Sequence, residues 1–155
     1  GGCTRVLVVV GAAAADVATL VQDQGRLRRD RLVVVRCADW AAGMSASLAT
    51  GLRAVTADVA VVHLVDLPDI GAAVVRRVLT QGGRERGGLA RATYAGRPGH
   101  PVLVGADHVS PLLSTLRGDQ GGRAYLGAHH ALAVECGDLA TGCDDDATPV
   151  GGTRS

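Results

Sequence analysis

Asp66 is the residue whose position most clearly suggests chemistry. It follows the apolar run Val59–Val65, a predicted strand, and Pro68 fixes the turn that comes next. A carboxylate at the carboxyl end of a strand is well placed to hold a hard cation such as Mg²⁺ against a phosphate. The alternative is that Asp66 forms the turn or caps the helix predicted from residue 70 onward.

A second acidic group lies near the end of the chain. Asp144, Asp145 and Asp146 precede a Thr-Pro pair. Three adjacent carboxylates repel one another unless a cation or solvent offsets their charge. They are therefore candidate metal ligands, and a solvated acidic loop is the alternative.

Two short segments could hold an anion. In GRPGHP, glycine and proline predict a defined turn that directs Arg97 and His100 outward. In GDQGGR, Asp119 is predicted to cap a helix whose exposed N–H groups, with Arg123 alongside, favour an anion. A rigid hairpin-like connection and simple helix capping are the respective alternatives.

Small residues begin another predicted helix, in the segment Gly43–Leu48. They would let the base or sugar of a ligand approach the backbone. The alternative is a capped helix with Met44 and Leu48 in the core. The histidines have no metal-binding spacing, and His63 is predicted to be a core residue inside a strand.

The composition narrows the classes of function. The chain of 155 residues carries a net charge of +1, so no strong overall field draws it to nucleic acid or to a membrane. All sixteen basic residues are Arg, so any cationic side chain that holds an anion is a guanidinium group. Four irregularly spaced cysteines without a Cys-x-x-Cys pair argue against a zinc module and favour reduced thiols. Without a signal peptide or an apolar span of about 18 residues, we expect a cytoplasmic protein.

The order of predicted elements indicates the fold that positions these residues. Strands and helices alternate at a spacing of roughly 25 residues, which is typical of a parallel α/β sheet with right-handed crossovers and a core of Val, Leu and Ala. Ligands of such sheets bind beyond the carboxyl ends of the strands. We predict one domain over residues 1–150 and a tail over 151–155. The predicted strands are 5–10, 32–36, 59–65, 89–94, 101–104 and 131–136.

Taken in order, five motifs resemble one known family. They are WAAGMSASLATGL, VVHLVDLPDIGAAVVRRVL, ATYAGRPGHPVLVGADH, GDQGGRAYL and VECGDLATGCDDDATP. Together they resemble the MobA-like NTP transferase family and, through GRPGHPVL and CGDLATG, its MocA-like molybdenum cofactor cytidylyltransferase branch. The resemblance runs from Gly2 to Pro149 and implies a three-layer, Rossmann-like nucleotidyltransferase fold with a mostly parallel sheet.

The resemblance also implies an activity and a set of site residues. The activity is transfer of CMP from CTP to molybdopterin-bound molybdenum, with Mg²⁺ and release of pyrophosphate, by a protein that can serve a molybdoenzyme client. By matching motif, Asp66 is the catalytic, Mg²⁺-binding aspartate, and Asp144 and Asp146 are its late acidic partners. The nucleotide side would include Gly43, Met44, Ser45 and Ser47. The acceptor side would include Arg97, His100, Asp119 and Arg123.

The sequence departs from the family pattern in its opening. The family begins with a strand and a loop of the form L-A-A-G-x-S-x-R-x-G-x-x-K that cradles the triphosphate, whereas RVLVVVGAAAADV resembles the family's second strand and helix. We therefore expect an N-terminally truncated domain. One alternative is a homologue that binds molybdenum cofactor and delivers it to a client enzyme. Another is a nucleotidyltransferase acting on a sugar or alcohol phosphate.

Overall fold

A computed structural model describes residues 2–23 and 29–143. The described residues form six strands and five helices, with short 3-10 turns at Arg29–Arg31 and Trp40–Ala42. The strands are β1 (Val6–Val10), β2 (Leu32–Arg36), β3 (Val59–Val62), β4 (Leu89–Tyr94), β5 (Arg97–Gly105) and β6 (Leu132–Glu135). The helices are α1 (Ala14–Asp23), α2 (Met44–Arg53), α3 (Ala72–Gln81), α4 (Ala106–Thr115) and α5 (Arg123–Ala128). The predicted tail, residues 151–155, lies outside the described residues.

The strands form two sheets. β1 and β2 pair in parallel, and the other four are ordered β3-β5-β4-β6. In the larger sheet β4 and β6 are parallel, and β5 runs antiparallel to both of its neighbours. Three of its four strands therefore share one direction, which confirms the predicted mostly parallel α/β architecture.

Helices cover both faces of the larger sheet, so the structure has three layers. On one face α3 packs through Val74, Val78 and Leu79 into a cluster with the fully buried Leu103. On the other face α2, α4 and α5 contribute to a second cluster, which consists of Ala49, Leu52, Val102, Val104, Leu112, Leu116, Tyr125 and Leu126. The core is built almost wholly of small aliphatic side chains, as the composition predicts.

A two-residue turn joins β4 to β5. Ala95 and Gly96 both have positive φ angles, 49° and 75°, and Tyr94 pairs with Arg97 across the turn. Turns of this kind match the right-handed twist of a hairpin. The prediction that the whole GRPGHP segment forms a turn is therefore wrong, because β5 already begins at Arg97.

Strand β3 ends at Val62, three residues before the predicted end. By the register of β3 on β5, the next position would pair with Pro101, which has no N–H to donate to the ladder. The following residues leave the sheet, and Val65 is 99 % exposed. His63 consequently lies beyond the strand and is exposed, so the prediction that it is a core residue is wrong.

The carboxylate of Glu135 ties β6 to the β4–β5 turn. It accepts hydrogen bonds from the Thr93 hydroxyl (2.8 Å) and from the backbone N–H groups of Ala95 (2.9 Å), Gly96 (3.2 Å) and Gly137 (3.0 Å). These bonds, the one from Thr93 foremost, lower the pKa of Glu135. One ionised side chain thereby holds the hairpin that carries Arg97 and His100.

We expect Glu135→Gln to destabilise the fold at neutral pH, because an amide cannot accept all four of these bonds. A lowered folded-state pKa makes the stabilisation complete above the ordinary value of 4.5 and lost as the pH falls through the folded-state value. Urea unfolding at neutral pH and at a pH of about 3 should show a weaker acid effect in Glu135→Gln than in the wild type. Glu85→Gln, a change at an exposed glutamate, is the control. The same acid effect in Glu135→Gln and wild type would contradict this role.

Candidate functional site

The start of α2 is joined to the loop before α5. The backbone N–H of Met44 donates to Asp119 Oδ1 (3.0 Å), and that of Ser45 donates to the carbonyl oxygen of Gly118 (2.9 Å). Asp119 therefore caps α2 across a separation of 75 residues. The prediction that it caps the adjacent helix is wrong, because α5 has Gly122 at its N-cap without a side-chain hydrogen bond.

The four residues predicted on the nucleotide side differ in exposure. Met44 is 51 % exposed rather than part of the core, whereas Ser45 is buried and its hydroxyl has no hydrogen-bond partner among the described residues. Gly43 and Ser47 are half-buried. An open cleft of about 370 Å³ runs between α2 and α4, lined by Ala42, Ser45, Ala46, Ala49, Arg53, Leu113, Leu116, Arg117 and Gly118.

Asp66 lies on the exposed loop that follows β3, four residues beyond Val62. Its negative charge acts on two imidazoles. Burial lowers the pKa of His63, and Asp66 opposes that shift. Burial is also the main cause that lowers the pKa of His100, and Asp66 again opposes it. Asp66 therefore lies within electrostatic range of both histidines.

His100 lies within β5, so it does not point outward as predicted. The residue is half-buried, and its Nδ1 atom is buried without a hydrogen-bond partner among the described residues. The hydroxyl of Tyr94 donates to the backbone carbonyl of His100 (2.6 Å) and fixes this part of the strand. The charges of His63 and Arg91 also lower the pKa of His100, after burial.

Arg91 is the site residue that the sequence analysis missed. It lies in the interior strand β4, directly opposite Val102 of β5, so its side chain leaves the sheet on the face covered by α2, α4 and α5. Its Nε atom is buried without a partner within residues 2–23 and 29–143. Burial lowers the pKa of Arg91, and the charge of Arg123 lowers it further. An arginine at an inward position of the strand LARATY was the available signal.

Electrostatic effects link these residues in a chain: Asp66 acts on His63 and His100, Arg91 acts on His100, and Arg123 acts on Arg91. Arg97 is exposed at the tip of the hairpin, and its side chain forms no hydrogen bond or ion pair with any described residue. These residues combine one carboxylate with imidazole and guanidinium nitrogens. Such a set suits a ligand that carries both phosphate groups and a bridging cation.

Comparison with known proteins shows the family to which the chain belongs. The profile of the MobA-like NTP transferase domain matches residues 1–133. The chain belongs to the MobA-like NTP transferase family. This MobA-like domain is 33 % identical over 156 residues to nicotine blue oxidoreductase of Paenarthrobacter nicotinovorans, an alignment that covers 94 % of the chain and 72 % of the relative.

A solved structure shares the fold of the MobA-like domain. It is the crystal structure of a homologue of Mycobacterium tuberculosis rv0371c, from Mycobacterium sp. strain JC1. The two superpose with a TM-score of 0.61 and 28 % sequence identity. The match covers 84 % of this chain and 63 % of the other, so the MobA-like domain spans less than two thirds of that protein. The likeness confirms the Rossmann-like nucleotidyltransferase fold.

Asp66 is the described metal-ligand candidate of the MobA-like domain. Asp144 and Asp146 lie outside the described residues. Within the described part of the chain, no three His, Cys, Asp or Glu side chains cluster in a way that could hold a metal ion. Mg²⁺ in phosphate-transfer sites is usually held by one or two carboxylates plus the phosphates of the substrate. Asp66 fits that mode, in which the nucleotide completes the coordination.

Asp69, the second acidic residue of the DLPD motif, has a structural role. Its carboxylate accepts hydrogen bonds from the Thr141 N–H and hydroxyl, both at 2.6 Å, and from the Gly142 N–H at 3.3 Å. These bonds, the one from the Thr141 hydroxyl foremost, lower the pKa of Asp69. They tie the end of the described chain to the loop that carries Asp66.

Within residues 2–23 and 29–143, no helix is both long enough and apolar enough to cross a membrane.

A substitution at Gly43 tests how much the junction between α2 and the loop before α5 contributes to stability. Its backbone angles, φ 107° and ψ 178°, are open essentially to glycine alone, and an added Cβ would lie 2.5 Å from Asp119 Oδ1. We expect Gly43→Ala to lower the free energy of unfolding by about 1–3 kcal/mol. Gly87→Ala is the matched control, since its Cβ would meet nothing within 4 Å. Urea unfolding that finds the two variants equally stable would refute this role of Gly43.

Proposed function

We propose that this MobA-like domain is a molybdenum cofactor cytidylyltransferase, which transfers CMP from CTP to molybdopterin-bound molybdenum and releases pyrophosphate. The observation that carries the proposal is that Asp66 lies within electrostatic range of His100, which also feels the charge of Arg91. Both substrates are polyanions, so the reaction needs a cation and fixed positive donors rather than a protein nucleophile. Membership of a nucleotidyltransferase family supports the reaction class.

The proposed role of each residue follows from its chemistry: carboxylates would bind the metal, and nitrogen donors would bind the acceptor. Asp66 would hold Mg²⁺ together with the phosphates of CTP, and Asp144 and Asp146 would complete the coordination. The bound metal would offset phosphate charge as pyrophosphate leaves. His100 and Arg123 would hold the acceptor.

The start of α2 and the tip of the β4–β5 hairpin would also contact the substrates. Gly43, Met44, Ser45 and Ser47, at the start of α2, would lie along the nucleotide. Asp119 links that helix start to the acceptor side through its bond to Met44. Arg97, at the exposed tip of the hairpin, would reach the outer part of the acceptor.

A cofactor-binding protein that delivers molybdenum cofactor to a molybdoenzyme client is a second candidate. The N–H groups of Met44 and Ser45 favour it, because both already donate to protein acceptors rather than being free for a phosphate. Calorimetric titration separates the two functions. Binding of molybdenum cofactor without any binding of CTP and Mg²⁺ would support the delivery protein and exclude the transferase.

The relative named nicotine blue oxidoreductase adds a third candidate, a redox enzyme built on the same fold. That reaction would need an electron carrier, for which a reduced nicotinamide dinucleotide is the simplest probe. Oxidation of the dinucleotide in the presence of a dye acceptor, without release of pyrophosphate from CTP, would favour this function over nucleotidyl transfer.

We expect Asp66→Asn to lower the Mg²⁺-dependent affinity for CTP at least tenfold, about 1.4 kcal/mol, because an amide is a poor ligand for a hard cation. The measurement is calorimetric titration of CTP with and without Mg²⁺. Mg²⁺ alone should show no tight binding, since the nucleotide supplies most of its ligands.

Asp16→Asn is the matched control, because Asp16 is also an exposed aspartate but lies on α1. It should bind CTP and Mg²⁺ as the wild type does. If Asp66→Asn kept the wild-type dependence on Mg²⁺, Asp66 would not be the metal ligand and the proposed mechanism would lose its central residue.

A further inference from the structure

The guanidinium of Arg91 is a partly buried positive charge without a counter-charge in the described part of the chain. Within the described residues Arg91 takes part in no ion pair, and its Nε–H has no acceptor. Arg77 and Arg86, by contrast, form ion pairs with described carboxylates. A buried donor without a partner costs free energy, and a charged one costs more.

The neighbours of Arg91 add positive charge and do not neutralise it. Burial and Arg123 are the causes that lower the pKa of Arg91, and no carboxylate opposes them. On the next strand, His100 presents a second buried nitrogen without a partner, Nδ1. Arginine cannot relieve the cost by losing its proton, because its pKa lies far above neutrality. The missing partner is therefore an anion.

The packing around Arg91 shows why its described neighbours do not supply this anion. Opposite Arg91 on the two neighbouring strands are Val102 and Ala133. The helices over this face contribute mostly apolar side chains, including Leu52 and Leu116. An apolar side chain at position 91 would satisfy this environment better, so the arginine indicates a ligand.

We propose that Arg91 is the inner anchor of an anion-binding site that it forms with His100 and Arg123, and that this site takes a phosphate monoester. A planar guanidinium fork matches two oxygens of a phosphate, and the other two side chains can contact the remaining oxygens. The inference rests on the proposed function to the extent that the monoester would be the terminal phosphate of the acceptor. Asp66 would hold the metal and the nucleotide phosphates.

Inorganic phosphate is the probe, used without CTP or Mg²⁺ so that the result does not depend on catalysis. Thermal unfolding is followed as phosphate is added, against sodium chloride of matched ionic strength. We expect phosphate to raise the midpoint of wild-type unfolding and chloride to leave it unchanged. Isotope-labelled protein should also show the Nε–H resonance of Arg91 moving as phosphate binds. A wild type that phosphate does not stabilise beyond chloride would overturn the proposal.

Arg91→Met separates a ligand anchor from a structural residue. The methionine fills the volume of the arginine stem and removes the uncompensated charge. Without phosphate, we expect its unfolding midpoint to equal or exceed that of the wild type, whereas phosphate affinity should fall roughly ten- to a hundredfold. Arg76→Met, a change at an exposed arginine of α3, is the matched control and should retain phosphate binding. A lower midpoint together with unchanged phosphate affinity in Arg91→Met would overturn the proposal.

Arg91→Lys keeps the charge but loses the fork, and it serves as the test if Arg91→Met does not fold. Its phosphate affinity should fall by about tenfold, and an unchanged value would count against the site. Binding of CTP and Mg²⁺ is measured in the same proteins. Phosphate binding that depends on Arg91, without any binding of CTP, would uphold this inference and refute the cytidylyltransferase. Binding of CTP and Mg²⁺, without phosphate binding that depends on Arg91, would uphold the cytidylyltransferase and refute this inference.

Discussion

The reversed direction of β5 is the constraint on which the candidate site depends. β5 lies between β3 and β4 and runs antiparallel to both, so its first residues lie at the carboxyl ends of its neighbours. This places His100 close to Asp66 and within the field of Arg91. The tight turn at Ala95 and Gly96, held by the Glu135 carboxylate, makes the reversal possible. The same turn sets the register of the hairpin, so that β5 begins at Arg97, opposite Tyr94 of β4.

Charge is separated across this end of the sheet. An exposed carboxylate, Asp66, stands on the loop after β3, and a partly buried guanidinium, Arg91, stands on the covered face of β4. Neither satisfies the other through a hydrogen bond or an ion pair in the described structure. A protein that keeps opposite charges apart in this way sacrifices stability, which is common at sites built for a ligand. A metal-bound nucleotide and a phosphorylated acceptor would supply the missing partners.

The sequence predicted the elements well and the contacts between distant segments poorly. The apolar runs located each described strand, because strands depend on local periodicity, although β5 begins at Arg97 rather than at the predicted residue 101. The end of β3 was wrong because the apolar run continues to Val65 while the partner strand offers Pro101. The role of Asp119 was wrong because its partner, Met44, is distant in sequence. Arg91 was missed because local patterns do not show which face of a strand the helices cover.

We propose that Asp66 and the phosphates of CTP hold a metal ion close to the two nearby histidines, His63 and His100. The most direct measurement replaces Mg²⁺ by paramagnetic Mn²⁺ and follows the imidazole proton resonances of the protein as CTP is added. The account predicts broadening of the His63 and His100 signals, with His108, beyond the opposite end of β5, left sharp. If CTP and Mn²⁺ bind while the signals of His63 and His100 stay sharp, the nucleotide and its metal lie elsewhere and the account is wrong.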